Sequence, residues 1–426
     1  KSLKRKVSVE LVVKKFGGTS VGDLGRIKHV ARLIHGYLTL NPQHKVVTVV
    51  SAMSGETDKL IQLARSCVEN PAPREMDVLL ATGEQVTIAL LAMSLIELGV
   101  PARSLLAQQA KISTDRSYTQ AQILDINVDT VRETLEKGQI PVVAGFQGVD
   151  EEGNVTTLGR GGSDITAVAL AAALEARACY IYTDVPGVYS ADPRICSRAK
   201  LLSRVCHEEM LEMASLGAKV LHPRSVYFAM RYKVPLVVMS TFSPGSGTWI
   251  VREEKLMEKP VVTGITYRLD DAKITIRKLP GGIEALSQVF GSLARADIFV
   301  DMITQTGLVE GRTNISFTVP DELSSRALEA TQNCVPELGA EGASLERDIA
   351  KVSVVGLGMR YHAGVAARMF EALAKEKIDV QMIGTSEIKI SVIVPRKYCE
   401  VAVRSLHDAF MEMKPEVNEE QYPPAT

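Results

Sequence analysis

The apolar positions of this chain follow two rhythms that exchange along its first 250 residues. VSVELVV (7–13) alternates apolar and polar side chains and predicts a β-strand, and KVVTVVSAM (45–53) is a continuous apolar run that predicts a buried one. Spacings of three and four predict helices over Leu24–Leu40, Thr57–Glu69 and Glu75–Leu98. QIPVVAGFQG predicts strand and turn, SDITAVALAAALEA a helix, and CYIYTDV and VPLVVMST two further strands. Buried Val/Ile strands alternating with helices imply an α/β domain, a mostly parallel central sheet covered by helices, over 7–250. SPGSGT (243–248) breaks the pattern, and the charged VREEKLMEKP after it predicts a linker over 251–262.

Beyond the linker the chain repeats itself. EALSQVFGSLARADIFVDMITQT (284–306) aligns with GVAARMFEALAKEKIDVQMIGTS (364–386) at an offset of 80, matching Phe290 to Phe370, Ile298 to Ile378 and Met302 to Met382. The closing strands NISFTVP and KISVIVP match at an offset of 75, so the first copy carries about five extra residues around GLVEGRT. Each copy reads strand, helix, strand, strand, helix, which predicts two ferredoxin-like α+β domains, over 263–340 and 341–412. Whether the two interleave in space is left open. The tail 413–426 is expected to be disordered.

Composition narrows the function. Of 426 residues, 46% are hydrophobic and 23% charged, as in a globular protein of several domains. A net charge of −1 and 5% aromatics give neither the field nor the stacking surface for nucleic acid. The run ITAVALAAALEARACYIY is interrupted by Glu175 and Arg177, which argues against a membrane span. Six scattered cysteines without a CxxC pair suit a reducing, cytoplasmic setting and argue against a zinc site. The first residues, KSLKRK, lack Met, which leaves a plastid protein shorn of its transit peptide open.

Two glycine turns carry the candidate chemistry. KKFGGTSVGD (14–23) follows a strand and precedes a helix, but lacks the Gly-Lys of a Walker loop and the spacing of a dinucleotide fingerprint. A lysine, two bare backbone N–H groups at Gly17 and Gly18, and the hydroxyls of Thr19 and Ser20 could hold an anion. LGRGGSD (158–164) opens a second helix, with Ser163 or Asp164 as the expected cap and Arg160 as a carboxylate- or phosphate-binding fork. YTDVPGVYSADPR (182–194) turns at a strand end, where open α/β sheets bind ligands. GLGMRYHAG (356–364) begins like a Rossmann turn but has Tyr361 at the third glycine position. His222, alone before a proline, reads as structural, and Glu84 is divided between a solvated helix position and a site role.

Taken together, KFGGTSV, LGRGGSD, TDVPGVYSADPR and GAKVLHP stand in the order found in the aspartokinases, a branch of the amino-acid kinase family. The resemblance runs from about Val9 to Phe410, and the C-terminal repeat resembles that family's paired ACT domains. It implies transfer of the γ-phosphoryl of ATP, with Mg²⁺, to the side-chain carboxylate of L-aspartate, the first step towards lysine, threonine and methionine. Position by position it makes Lys15 and Asp164 catalytic, and gives the phosphoryl group to Gly17, Gly18, Thr19 and Ser51. Aspartate falls to Thr57, Glu84, Arg160 and Ser163, and the nucleotide to Thr183, Asp184, Tyr189, Arg194 and Lys219. The ACT pair implies a lysine or threonine effector, with Asp301, Met302, Thr306, Thr385, Ser386 and Glu387 as its expected contacts, and assembly into a homo-oligomer.

The chemistry agrees with the residues. A carboxylate nucleophile is already ionised above a pKa of about 4, so no general base is needed. The site must instead bring two anions together and neutralise them. No dedicated protein metal site is expected, because Mg²⁺ is held mainly by phosphate oxygens. An acetylglutamate or uridylate kinase, a non-catalytic amino-acid sensor and a kinase–homoserine dehydrogenase are the competing readings. The tandem repeat, the intact Lys15, Arg160 and Asp164, and the chain length argue against each in turn.

Overall fold

The computed structural model describes residues 10–218, 220–253 and 261–411. The predicted linker and the tail therefore fall wholly or largely outside the described residues, as does Lys219.

The N-terminal unit begins with β1 (Leu11–Phe16), α1 (Leu24–Leu40), β2 (Lys45–Val50), α2 (Glu56–Cys67), α3 (Pro73–Leu80) and α4 (Thr82–Glu97). Next come β3 (Ala102–Leu105), β4 (Ile112–Thr114), β5 (Ile123–Ile126), α5 (Asp129–Glu136), β6 (Ile140–Ala144), β7 (Gln147–Val149) and β8 (Val155–Thr157). It closes with α6 (Gly162–Ala173), β9 (Ala178–Thr183), β10 (Arg204–Cys206), α7 (His207–Ser215), α8 (Pro223–Tyr232), β11 (Leu236–Ser240) and β12 (Thr248–Val251). Eight strands form the central sheet in the order β10-β12-β11-β9-β1-β2-β6-β3. All pairs are parallel except β11 with β12.

The sheet is apolar on both faces because helices cover both. Val13, Val47 and Val143 pack with Ala167, Leu170 and Ala171 of α6 on one side, and Phe16, Val50 and Ala144 with Ile27 and Ile34 of α1 and Leu91 of α4 on the other. The Ala-rich α6 is small-sided and almost wholly buried against β1, which explains its apolar composition without a membrane. From β1 the strand order grows one way through β2 and the other way through β9, so the switch point, where such sheets bind ligands, lies between β1 and β9.

Sequence periodicity predicts one helix over Glu75–Leu98, but the structure has two, meeting at Ala81, whose carbonyl accepts from Gln147 Nε2 at 3.1 Å. β4, β5, β7 and β8 form a small separate sheet of three- and four-residue strands, too short to show a periodic pattern.

The C-terminal strands pair in a different order from their sequence. They comprise β13 (Gly264–Arg268), β14 (Asp271–Pro280), α9 (Ile283–Arg295), β15 (Ile303–Gln305), β16 (Arg312–Pro320), α10 (Ser324–Leu338) and β17 (Gly342–Glu346). Then follow β18 (Ile349–Val355), α11 (Val365–Lys375), β19 (Met382–Thr385), β20 (Lys389–Pro395) and α12 (Cys399–Met411). One sheet runs β15-β16-β14-β17 and the other β19-β20-β18-β13. The first unit is thus continuous, and sits as an insertion between β13 and β18. In the second, β13, from before the insertion, pairs with β18 in the place that β17 takes beside β14 in the first. This differs from the sequential division at 340/341. Pairing assigns β13 to the second copy and β17 to the first.

The two units meet at a seam where Met302, Ile349, Met382 and Ile393 pack together. Lys351, 1% exposed, lies between Asp271, at 2.7 Å, and Asp301. Its counterpart in the other copy, Lys273, donates to Gln381 at 2.9 Å. The second unit docks on α7: Glu209 accepts from Leu357 N at 3.0 Å and Thr263 Oγ1 at 2.6 Å, and Glu212 pairs with Lys389 at 2.8 Å.

Candidate active site

At the end of β1 the strand alternation separates the two lysines. Lys15 points towards α6, where its Nζ lies 2.6 Å from Asp164 Oδ1; both residues are 9% exposed. Lys14 points to the opposite face and is 2% exposed, with its Nζ 3.5 Å from the ring centre of Tyr37 and donating to Tyr182 Oη at 3.0 Å. Burial without an acidic partner pushes the Lys14 ammonium down to about 7.

The glycine turn is fastened from below and open above. Gly17 N donates to Tyr182 O at 3.2 Å and Ser20 N to Gly17 O at 2.9 Å, whereas the N–H groups of Gly18 and Thr19 have no acceptor among the described residues. A Cβ on Gly17 would sit 3.3 Å from Lys15 Nζ, and one on Gly18 would sit 3.0 Å from Ala52 O. Two free N–H groups beside a buried ammonium make a cradle that can accept an anion. Ser51 and Thr57 flank the neighbouring turn, with Ser51 N donating to Phe16 O at 3.1 Å.

Glu84 is buried rather than solvated. It lies in the first turn of α4, 3% exposed, because Gly83 lets that turn approach Ala52; a Cβ on Gly83 would lie 2.8 Å from the Ala52 Cβ. Its Oε1 accepts from Ala52 N at 2.9 Å, while Oε2 is buried with no hydrogen-bond partner among the described residues. Burial pushes its carboxyl up to about 7 against the Ala52 N–H bond. Such a carboxylate lacks a cation.

The second glycine turn departs from its expected cap. Gly161, left-handed at φ 73°, is the N-cap of α6 and supplies no side-chain bond. Ser163 and Asp164 lie inside the first turn, both buried, because a glycine in that conformation starts the helix two residues earlier than a serine cap would. Arg160, between Gly159 and Gly161, is exposed and makes no hydrogen bond or ion pair with any described residue. His222 packs on Gly161, and burial and then Arg224 lower its pKa.

Among the residues expected to meet the nucleotide, Thr183 Oγ1 donates to Asp184 Oδ1 at 3.1 Å at the end of β9, and Tyr189 makes an isolated bridge with Leu201. Arg194 is placed differently from the rest. Its guanidinium grips Asp192 at 3.0 and 2.7 Å, and Asp192 also accepts from Tyr267 Oη at 3.1 Å, which ties this arginine to β13 of the C-terminal unit.

The six expected effector contacts fall in three places. Thr385, Ser386 and Glu387 line a cavity of about 620 Å³ with Arg360, His362 and Ala366. Asp301 and Met302 belong to the inter-unit seam, where Lys351 occupies the Asp301 carboxylate. Burial is the largest single influence on the Asp301 carboxyl and raises its pKa, but the Lys351 charge and hydrogen bond, with Lys389 and Arg268, together lower it. Thr306 sits in the β15–β16 hairpin and accepts from Asn314 N at 3.0 Å.

Residues 10–240 match the amino acid kinase family and residues 352–410 the ACT domain, which defines the class: an amino-acid kinase catalytic unit joined to ACT units. The chain is 53% identical over 401 residues to an aspartate kinase of Stutzerimonas stutzeri, covering 94% of this chain and 97% of that one. It is 48% identical to the Thermus thermophilus aspartokinase, with 94% and 98% covered. The structure of E. coli aspartokinase III in complex with aspartate and ADP (R-state) superposes with a TM-score of 0.76 at 28% identity, over 95% of this chain and all of that one. The same enzyme in complex with lysine and aspartate (T-state) gives 0.74 over 94% of this chain. The chain belongs to the aspartokinases.

Proposed function

We propose that the chain phosphorylates the side-chain carboxylate of L-aspartate from MgATP, and that the bonds and gaps of the cleft divide the work. The observation that carries this is a pair of unmet charges among the described residues: a buried carboxylate oxygen of Glu84 with no partner, and the exposed Arg160 guanidinium, which makes no ion pair. An α-amino acid brings an ammonium for the first and a carboxylate for the second. Its second carboxylate is then free to face the glycine turn. There Lys15, released from Asp164, and the Gly18 and Thr19 N–H groups meet the charge that spreads over the transferring phosphoryl oxygens. No described residue need take a proton, because the acceptor is ionised.

Mg²⁺ arrives with ATP as substrate. Its ligands are expected to be mainly phosphate oxygens and water. The experiment is an ATP- and aspartate-dependent hydroxamate assay. Hydroxamate formation with aspartate is expected; turnover of acetylglutamate or a nucleoside monophosphate in its place would overturn the reading.

The cavity beside α11 is proposed as the effector site. Arg360 and Glu387 pair across it at 3.0 Å, and a zwitterionic amino acid can replace each partner with its own opposite charge. Lysine or threonine fits this chemistry. Replacing Thr385 by valine and Ser386 by alanine together is expected to raise the inhibitory concentration about tenfold, equivalent to about 1.4 kcal/mol. Inhibition curves measured with each amino acid check this. The reading includes a cytoplasmic enzyme, in keeping with six free cysteines. It also includes a homo-oligomer joined near the exposed Phe299, Ile303 and Ile383 of the C-terminal units.

A further inference from the structure

We propose that Arg224 is a positioning residue for aspartate, acting through Arg160. Arg224 stands at the second position of α8, where a cation opposes the helix dipole. It has no acidic partner among the described residues, so neither helix stability nor an ion pair accounts for it. Its guanidinium instead reaches two carbonyls far away in sequence: Nη1 donates to Leu158 O at 2.6 Å and Nη2 to Ala121 O at 3.2 Å.

Those two carbonyls frame the Arg160 loop. Leu158 directly precedes Gly159-Arg160-Gly161, and both glycines are left-handed, at φ 74° and 73°. Leu158 is held from both sides, its N–H by Phe146 O at 2.8 Å and its carbonyl by Arg224. Ala121 belongs to the strip that backs the loop: Ala121 N donates to Thr157 O at 2.9 Å, and a Cβ on Gly159 would lie 3.0 Å from Thr119 O. At the other end His222, the N-cap of α8, lies so close to Gly161 that a Cβ there would be 2.3 Å from the His222 Cβ. The Arg224 N–H donates to His222 Nδ1 at 3.3 Å, so one turn of α8 grips both ends of the loop. Arg160 itself makes no hydrogen bond or ion pair with any described residue, and a tripeptide with a glycine at each end has wide conformational freedom. Fixing its two ends limits where the Arg160 fork can be presented, which lowers the ordering cost when a carboxylate binds.

This rests on the assignment of Arg160 to the aspartate α-carboxylate, and a double-mutant cycle tests the two separately. In the full chain, Arg160→Gln is expected to raise the KM for aspartate about 100-fold and Arg224→Gln about tenfold, with the KM for ATP within twofold of the parent. Arg224→Lys, which keeps the charge but reaches only one carbonyl well, is expected to fall between Arg224→Gln and the parent. If Arg224 acts through Arg160, the double variant has the aspartate KM of Arg160→Gln alone, within about twofold. Fully additive effects, or an equal rise in the KM for ATP with a lowered melting temperature, overturn the positioning role and leave the Arg160 assignment standing. An unchanged aspartate KM in Arg160→Gln overturns both. Should Arg224→Gln fail to fold, the cycle is run with Arg224→Lys, and the same comparison decides.

Discussion

Replacing Lys15 by methionine is expected to lower kcat by roughly 10³-fold while aspartate still binds, whereas replacing Lys14 by methionine leaves kcat within about twofold. Lys15 is the buried cation nearest the free N–H groups of the glycine turn, and its ion pair with Asp164 keeps it there before substrate arrives. Its attraction grows as negative charge develops on the transferring group, so its loss appears in kcat more than in KM. Lys14 faces away, into the rings of Tyr37, Tyr180 and Tyr182.

The Lys14 variant has a second signature. Burial favours the neutral amine, so the cost of keeping Lys14 is nil above its unfolded pKa of about 10.5 and grows as pH falls towards about 7. Methionine fills the same space without that cost. The variant is therefore expected to melt higher than the parent at pH 7, with the gap closing near pH 10. Alanine is a poorer control, because it would leave a hollow among three rings. Steady-state kinetics and melting curves at pH 7 and pH 10 check both parts. Equal loss of kcat in the two methionine variants would sink the assignment of Lys15.

What the sequence made legible was local. Alternation along β1 is enough to separate Lys14 from Lys15, and the helix over Leu24–Leu40 has the same bounds in pattern and structure. Long-range contacts were not legible. Glu84 reads ambiguously because its burial depends on Ala52, 32 residues away, and on the missing side chain of Gly83. Arg194 shares a motif with Thr183 and Asp184, yet Asp192 turns it to the C-terminal unit. The partner of β13 is β18, more than 80 residues on, and no local pattern records that choice. Arg224 gave one signal, a cation just after His-Pro at a helix start, where an acid is the usual residue.

Glu84→Gln is the change with the opposite effects on binding and stability. Glutamine keeps an acceptor for Ala52 N but cannot pair with an ammonium. The KM for aspartate is expected to rise roughly 10²-fold, the order of a lost buried charge pair of about 3 kcal/mol. Without substrate the sign reverses. The carboxyl titrates near 7 when folded and near 4.5 when unfolded, so the folded parent binds the extra proton between those values and loses stability as pH rises through them. Glutamine removes that loss. The variant is expected to be more stable than the parent by about 2–3 kcal/mol at pH 8, and by less than about 1 kcal/mol at pH 5. The parent's aspartate affinity should fall as pH drops below about 7, where the proton competes with the ammonium for the same oxygen, and the variant's should not. Denaturant melts at the two pH values, with and without aspartate, read all three effects. A stability gap independent of pH would mean that Glu84 is not the buried acid the geometry describes, and an unchanged KM would remove it from the aspartate site.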